Sequence, residues 1–143
     1  MIRLTEQLWI GDSADGRNLE ALGITAILNV AHDLRSFAGW PEVEYAQVGL
    51  IDGPGNLPAA YHATILTLIS LLGRHKQVLV CCHTGSRSMA VALMYLNLTF
   101  ARGWDSWLDV LNEYVDLNLP EPHAAHRIAF DAIQWESLRG IVS

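Results

Sequence analysis

The sequence predicts an α/β fold, a single domain with a central, mostly parallel sheet flanked by helices. Short and nearly continuous apolar runs lie mainly in the first part of the chain, as expected for strands covered on both faces. Longer segments with apolar residues at helical spacing fill the last part. The chain has 143 residues, of which 51% are hydrophobic. This size and composition predict one domain, residues 1–143, that buries a core of its own.

Strand candidates are short apolar runs bounded by residues that favour turns. The run at 25–30 is rich in β-branched and aliphatic residues, which is typical of a buried parallel strand. Residues 18–22 are predicted to form a short helix closed by Gly23. Residues 52–56 are predicted to form a loop, because Asp, Gly, Pro and Asn interrupt both helices and strands. The predicted strands are residues 8–10, 25–30, 45–51 and 77–81.

Helix candidates show apolar residues three or four positions apart. Gly73 is expected to end the first of them, and Pro120 and Pro122 are expected to separate the last two. After Gly85, the uncharged run 89–96 predicts a helix packed inside the domain. The other predicted helices are residues 58–72, 104–117 and 122–141.

The overall composition limits the classes of partner. The formal net charge is -6 and the nine Lys and Arg residues are scattered, which disfavours a polyanion such as nucleic acid. No apolar run approaches the roughly 18 residues that a membrane span needs, and the start of the chain lacks the apolar core of a signal peptide. We therefore expect a soluble, cytoplasmic monomer that binds neither nucleic acid nor membrane.

Residues 78–88 carry the most specific chemical signal. They are predicted to form a buried strand, a short polar turn and an apolar helix, and the unpaired main-chain N–H groups at such a helix start attract anions. Cys82, placed there, loses its proton more easily and becomes a nucleophile. Arg87 follows where its planar guanidinium can hold two phosphoryl oxygens while Cys82 attacks phosphorus. Ser88 is a candidate hydrogen-bond donor to the thiolate.

The same residues resemble a known family. Residues 78–88 resemble the signature loop of the protein tyrosine phosphatase superfamily, in which a strand and a histidine precede Cys-x5-Arg-Ser/Thr. Residues 8–11, 24–31, 52–56 and 95–96 resemble, in that order, segments of the compact dual-specificity branch. The resemblance covers nearly the whole chain and implies the phosphatase type of α/β fold, with a strand, a phosphate-binding loop and a helix in succession.

The resemblance also implies roles for individual residues. Asp52, 30 residues before Cys82, fits the aspartate that protonates the leaving oxygen and later activates water, provided that the site raises its pKa. Asp12 and Asp33 are rival acids, and a turn cap is the alternative role of Asp52. The implied substrate is a protein or peptide carrying phosphotyrosine, phosphoserine or phosphothreonine, hydrolysed without metal or cofactor. The implied phosphate-binding residues are His83, Thr84, Gly85, Ser86 and Arg87.

The loop departs from the family pattern in its length. Counted from Cys82, Gly85 occupies the family's glycine position, but Arg87 comes one residue early. Counted from Cys81, the spacing to Arg87 is restored, but the glycine is misplaced and Val80 replaces the usual histidine. The Cys82 register is preferred, with the missing residue between Gly85 and Ser86. One lost amide contact to a charged phosphate, worth about 1.5 to 3 kcal/mol, predicts reduced activity.

Other interpretations of these residues remain open. A pseudophosphatase would bind phosphorylated partners without turnover because of the short loop. Thiol redox chemistry at Cys81 and Cys82 would not require Arg87. A zinc site is disfavoured because no Cys-x-x-Cys pair is present, and Cys81 is expected to be a packed strand residue. Three histidines are expected to be solvated or packed rather than catalytic: His62, His123 and His126.

Overall fold

A computed structural model describes residues 1–12, 19–34, 43–114 and 121–142 of the chain. These parts form an α/β fold with five strands and five helices. The strands are β1 (Ile2–Arg3), β2 (Leu8–Asp12), β3 (Ala26–Ala31), β4 (Glu44–Leu50) and β5 (Val78–Cys82). The helices are α1 (Pro58–Arg74), α2 (Ser86–Thr99), α3 (Trp104–Tyr114), α4 (Ala124–Ala132) and α5 (Trp135–Val142).

The strands form one mixed sheet in the order β1-β2-β5-β3-β4. The short edge strand β1 is antiparallel to β2, and the other neighbours are parallel, which confirms a mostly parallel sheet. The carboxyl ends of four parallel strands therefore meet at one edge, where open α/β sheets bind ligands. The loop after β5, the loop after β4 and the turn after β3 all leave the sheet at this edge.

The helices pack against one face of the sheet. Their apolar side chains join those of alternate strand residues in one large core, in which α2 is buried along most of its length. A smaller cluster covers the opposite face and includes Leu19, Ile24, Ile27, Leu79 and Cys81. The buried position of α2 explains why its sequence carries no charge from residue 88 onward, whereas α3 to α5 are amphipathic.

Two of the predicted helices are wrong in part. Residues 19–22 form hydrogen-bonded turns instead of a helix, because so short a segment gains too few hydrogen bonds to offset the cost of nucleation. Residue 18, the first of that predicted helix, lies outside the described residues. The predicted helix 122–141 is divided into α4 and α5 by Ile133, which has an extended backbone (φ -65°, ψ 133°). The break brings Trp135 to 4.8 Å from Phe130, between ring centroids.

The other predicted elements are found with small shifts at their ends. Gly73 lies inside α1, which continues to Arg74. The strand predicted at 77–81 begins and ends one residue later. Residues 115–117 of the helix predicted at 104–117 lie outside the described residues. Within the described ranges, no helix combines the length and the apolar character that crossing a bilayer requires.

Candidate active site

The loop between β5 and α2 contains only three residues, 83–85, because β5 ends at Cys82 and α2 begins at Ser86. Gly85 is the N-cap of α2 and has a φ of 100°, in the left-handed region that favours glycine. This conformation turns the chain sharply from the strand into the helix. The N–H groups of the first turn of α2 are thereby directed to the end of β5.

The thiol of Cys82 lies at the centre of this turn. Its Sγ accepts the N–H of Gly85 at 3.1 Å and the N–H of Ser88 at 3.4 Å. Cys82 is fully buried and belongs to the large core beneath the helices. Two main-chain donors therefore converge on one sulfur at the amino end of a buried helix, an arrangement that stabilises negative charge on that sulfur.

Cys81 faces the other side of the sheet. Successive side chains of a strand point to opposite faces, and Cys81 packs in the small cluster with Ile27 and Leu79. Both cysteines are reduced thiols. Of the two registers that the sequence leaves open, the geometry favours the one with Cys82 at the loop and Cys81 in the sheet.

The hydroxyl of Ser88 has several hydrogen-bond acceptors around it. Its Oγ lies 3.0 Å from the carbonyl oxygen of Gly11, 3.1 Å from that of Gly85 and 3.5 Å from Sγ of Cys82. A hydroxyl donates one proton, and the two carbonyls are the nearer acceptors. Ser88 therefore donates to the sulfur through its main-chain N–H, and its hydroxyl oxygen lies beside the sulfur while its proton points to a carbonyl.

Arg87 is almost completely buried, with 3% of its surface exposed. Its Nη1 donates to the carbonyl oxygen of Leu50 at 2.9 Å and to Oδ1 of Asp33 at 3.0 Å. Its Nε is the one buried side-chain nitrogen or oxygen without a hydrogen-bond partner in the described residues. A buried, unpaired N–H costs about 1 to 3 kcal/mol, so this donor is available to an acceptor.

Asp52 lies on the loop after β4 and is tied to the start of α2. Its Oδ1 accepts the hydroxyl proton of Ser86 at 2.8 Å and lies 3.0 Å from Nε2 of His126. Burial acts to raise the pKa of the Asp52 carboxyl, but the hydrogen bonds of His126 and Ser86 and the charge of Arg87 prevail and hold that pKa below its ordinary value. The carboxyl is therefore ionised at neutral pH in the free protein, the reverse of the shift that acid catalysis favours.

His126 links Asp52 to the interior. Its ring is completely buried, and its Nδ1 lies 2.9 Å from the hydroxyl oxygen of Tyr61, which itself accepts an N–H of Asn56 at 3.1 Å. Because the Tyr61 hydroxyl then donates to Nδ1, we assign the ring proton to Nε2, where it is donated to Asp52. Burial is the main reason that the pKa of His126 is lowered, which agrees with a neutral ring.

Cys82, Arg87 and Asp52, the residues predicted to form the site, lie together at the carboxyl edge of the sheet, and two further residues contact them. His126 was expected to be solvated or packed, and it is packed, yet it also contacts Asp52. Asp33 was named only as a rival acid, and its carboxylate pairs with Arg87. Asp33 lies two residues after the carboxyl end of β3, and that position was the signal that could have identified it. Asp12 ends β2 beside Cys82 in the sheet register, and its side chain lies outside the described part.

Three other predicted phosphate-binding residues lie in or beside the loop: His83, Thr84 and Ser86. His83 is partly exposed, and its Nε2 lies 3.6 Å from Oδ1 of Asp33. Thr84 is exposed at the tip of the loop. Ser86 donates to Asp52 and accepts the main-chain N–H of His123 at 3.1 Å. Ser86 thus joins the loop, the Asp52 segment and the start of α4.

The pH dependence of stability tests the neutral state of His126. Because its pKa lies below the ordinary value of 6.5, the unfolded chain takes up a proton that the folded chain resists. The stability that neutral His126 contributes is complete above pH 6.5 and is lost as pH falls below it. The pKa of Asp52 is also lowered, but its contribution is lost only as pH falls through and below the ordinary value of 3.8.

We therefore expect the free energy of unfolding, measured with urea, to fall between about pH 7 and about pH 5. In a His126→Gln variant the fall should be shallower. A His62→Gln variant, which also removes one histidine, should keep the wild-type slope. An unchanged slope in His126→Gln would contradict the assignment.

Comparison with known proteins supports the same architecture. No family model and no curated protein sequence matches the chain. Among solved structures, DUSP15 is 19% identical, with a TM-score of 0.77 over 99% of this chain and 94% of that chain. Human DUSP28 is 19% identical, with a TM-score of 0.74 over 100% of both chains.

A third similar structure is that of a phosphatase-like protein. It is the human tyrosine phosphatase-like serine/threonine/tyrosine-interacting protein, 19% identical, with a TM-score of 0.73 over 95% of each chain. Similarity at this level of identity concerns the fold alone. The chain has the fold of the dual-specificity branch of the protein tyrosine phosphatase superfamily.

Proposed function

We propose that the chain is a cysteine-dependent phosphomonoester hydrolase that acts on phosphorylated proteins through a cysteinyl-phosphate intermediate. The observation that carries the proposal is the convergence of the Gly85 and Ser88 N–H groups on Sγ of Cys82. Both N–H groups contact the sulfur atom that would attack phosphorus, and main-chain donors in this position can accompany that sulfur through the attack. The buried, unpaired Nε of Arg87 supports the same proposal, because it can donate to a phosphoryl oxygen.

In the first step, Sγ of Cys82 attacks phosphorus and forms the S–P bond while the bond from phosphorus to the leaving oxygen breaks. Arg87 and the loop amides stabilise the negative charge on the equatorial oxygens. The Asp52 carboxyl gives its proton to the leaving oxygen, so that an alcohol or phenol departs. In the second step, Asp52 takes a proton from water, the water oxygen bonds to phosphorus, and the S–P bond breaks to release phosphate and the thiolate.

The ionised state of Asp52 in the free protein is relevant to the first step. A bound phosphoryl dianion places negative charge near this carboxyl, and a neighbouring like charge raises a carboxyl pKa. Substrate binding thus favours proton uptake by Asp52. Because kcat/KM reports the free protein, in which the pKa of Asp52 lies below its ordinary value of 3.8, the contribution of acid catalysis to kcat/KM should already decline as pH rises through the acidic range.

The direct test uses p-nitrophenyl phosphate and peptides carrying phosphotyrosine, phosphoserine or phosphothreonine, in buffer containing a metal chelator. Metal-independent turnover supports the proposal, and the ratio of rates on the three peptides defines the substrate class. Acid quenching during turnover, followed by mass spectrometry, should find one phosphoryl group on the peptide containing Cys82. Turnover that requires an added divalent metal would contradict the mechanism.

A pseudophosphatase is the second candidate, and a specific contact favours it. Asp33 already occupies Nη1 of Arg87, together with the carbonyl of Leu50. The loop is also one residue shorter than the pattern it resembles. A protein of this kind would bind the phosphorylated peptides with measurable affinity and would release them unchanged, so that calorimetric binding without phosphate release distinguishes it from the enzyme.

Lengthening the loop tests whether its size limits the reaction. A glycine inserted between Gly85 and Ser86 adds one main-chain amide to the turn and restores the family spacing. If that amide reaches a phosphoryl oxygen, it contributes about 1.5 to 3 kcal/mol, and kcat/KM for p-nitrophenyl phosphate should rise about 10- to 100-fold. The same insertion in a Cys82→Ser background should remain inactive. A folded insertion variant with lower activity would indicate that the three-residue turn is itself the working geometry.

A further inference from the structure

A network of hydrogen bonds lies behind Asp52. It runs from Asn56 through the Tyr61 hydroxyl to Nδ1 of His126, and from Nε2 of His126 to Oδ1 of Asp52. Each of these groups has a partner on both sides, and the His126 ring is completely buried. Burying an imidazole is costly unless both ring nitrogens have hydrogen-bond partners. These hydrogen bonds give a partner to both nitrogens of His126.

Both hydrogen bonds to the Asp52 carboxylate end on the same oxygen. Ser86 and His126 contact Oδ1, and within the described residues no hydrogen bond reaches Oδ2. A carboxylate held at one oxygen by two donors on different helices has its plane fixed, which leaves the other oxygen for proton transfer. The two donors come from the first residue of α2 and from the first turn of α4.

We infer that His126 is a positioning residue for the acid of the proposed reaction: it fixes Oδ1 of Asp52 so that Oδ2 carries the proton to the leaving oxygen. The inference rests on the proposed function. In the transfer, the O–H bond at Oδ2 breaks and the leaving oxygen gains the proton as its bond to phosphorus breaks. His126 keeps its own proton on Nε2 throughout, because Nδ1 is occupied by the Tyr61 hydroxyl.

The surroundings of His126 bear on its charge. Asp52 faces it from the loop after β4, Tyr61 from α1, His123 from the start of α4 at 6.1 Å between ring centroids, and Arg87 from α2. Asp52 favours a protonated ring, whereas burial, His123 and Arg87 oppose it. The balance is a neutral ring that donates one hydrogen bond to a charged carboxylate, which is a stronger bond than one between neutral groups.

The experiment compares substrates whose leaving groups need different amounts of help. p-Nitrophenolate leaves readily without a proton, whereas the leaving oxygen of phenyl phosphate needs one. A His126→Phe variant should lose about tenfold in kcat on phenyl phosphate, with little change in KM and little loss on p-nitrophenyl phosphate. In an Asp52→Asn background the same replacement should have no further effect. His126→Gln, which retains an N–H donor, should recover most of the rate, and His62→Phe should behave as wild type.

A merely structural role for His126 would lower the rate on both substrates equally, and would do so in the Asp52→Asn background as well, which would overturn the inference. A readout independent of turnover is the carboxyl carbon-13 titration of Asp52 by NMR. Its pKa should rise in His126→Phe and return toward the wild-type value in His126→Gln. If wild-type protein hydrolyses no phosphomonoester, the proposed function fails, and this titration still decides whether His126 holds Asp52. An Asp52 titration that does not move in His126→Phe overturns the inference.

Discussion

Replacement of Cys82 by serine should abolish phosphomonoester hydrolysis, whereas replacement of Cys81 by serine should leave most of it. Sγ of Cys82 receives two main-chain N–H groups at the start of α2, and a hydroxyl in its place is far less readily ionised than a thiol. We expect kcat for p-nitrophenyl phosphate to fall at least about 1,000-fold in Cys82→Ser. Steady-state kinetics measured on both variants is sufficient to see this difference.

Cys81 is a matched control because it is the adjacent residue of the same buried strand, with its side chain on the other face of the sheet. Both variants place one hydroxyl in a buried site, so both are expected to lower thermal stability, and only one should remove activity. The result also decides between the two ways of counting the short loop. Loss of activity in Cys81→Ser with retention in Cys82→Ser would reverse the assignment of the nucleophile.

Replacement of Arg87 by lysine should lower kcat/KM about 100-fold or more while conserving the positive charge. Arg87 uses Nη1 to hold Leu50 and Asp33 and has an unpaired Nε, and a lysine ammonium cannot occupy both positions at once. Loss of one or two charge-assisted hydrogen bonds to phosphate, at about 1.5 to 3 kcal/mol each, accounts for an effect of this size. The inhibition constant for orthovanadate should weaken in parallel, which separates loss of anion binding from a general loss of folded protein.

Arg74→Lys provides the corresponding control. Arg74 pairs with Glu44 at the opposite end of β4, where both side chains are partly exposed, and exposed pairs contribute little to stability. Its replacement should leave kcat/KM unchanged within experimental error. Full activity in Arg87→Lys and in Arg87→Ala would instead favour thiol redox chemistry, for which the guanidinium has no role.

The fold was predictable where local sequence and burial agree. The run at 25–30 and the uncharged helix after Gly85 could be assigned because a buried strand and a buried helix have no polar face to maintain. The two-residue strand β1 carries too little pattern to be recognised, and the helix predicted at 122–141 is divided at Ile133, a break that places Trp135 against Phe130. Apolar spacing continues through such a break, so periodicity alone does not reveal it.

The part of the candidate site that lies in one continuous segment was predictable from the sequence. Cys82, Gly85 and Arg87 lie within six residues, and the turn and helix dictate how they meet. Asp33 and His126 are 49 residues before and 44 residues after Cys82. Their contacts arise from the order of the strands and from the docking of α4, which no local pattern contains. The direction of the Asp52 pKa likewise depends on His126 and therefore required the tertiary structure.

The most direct measurement is a crystal structure of the protein grown or soaked with vanadate or tungstate. The oxyanion should lie over Cys82, with its central atom in line with Sγ, an oxygen within about 3 Å of Nε of Arg87, and further oxygens on the N–H groups of residues 83–88. An oxyanion bound elsewhere, or a guanidinium directed away from Sγ with no room between them for a tetrahedral anion, would contradict the account.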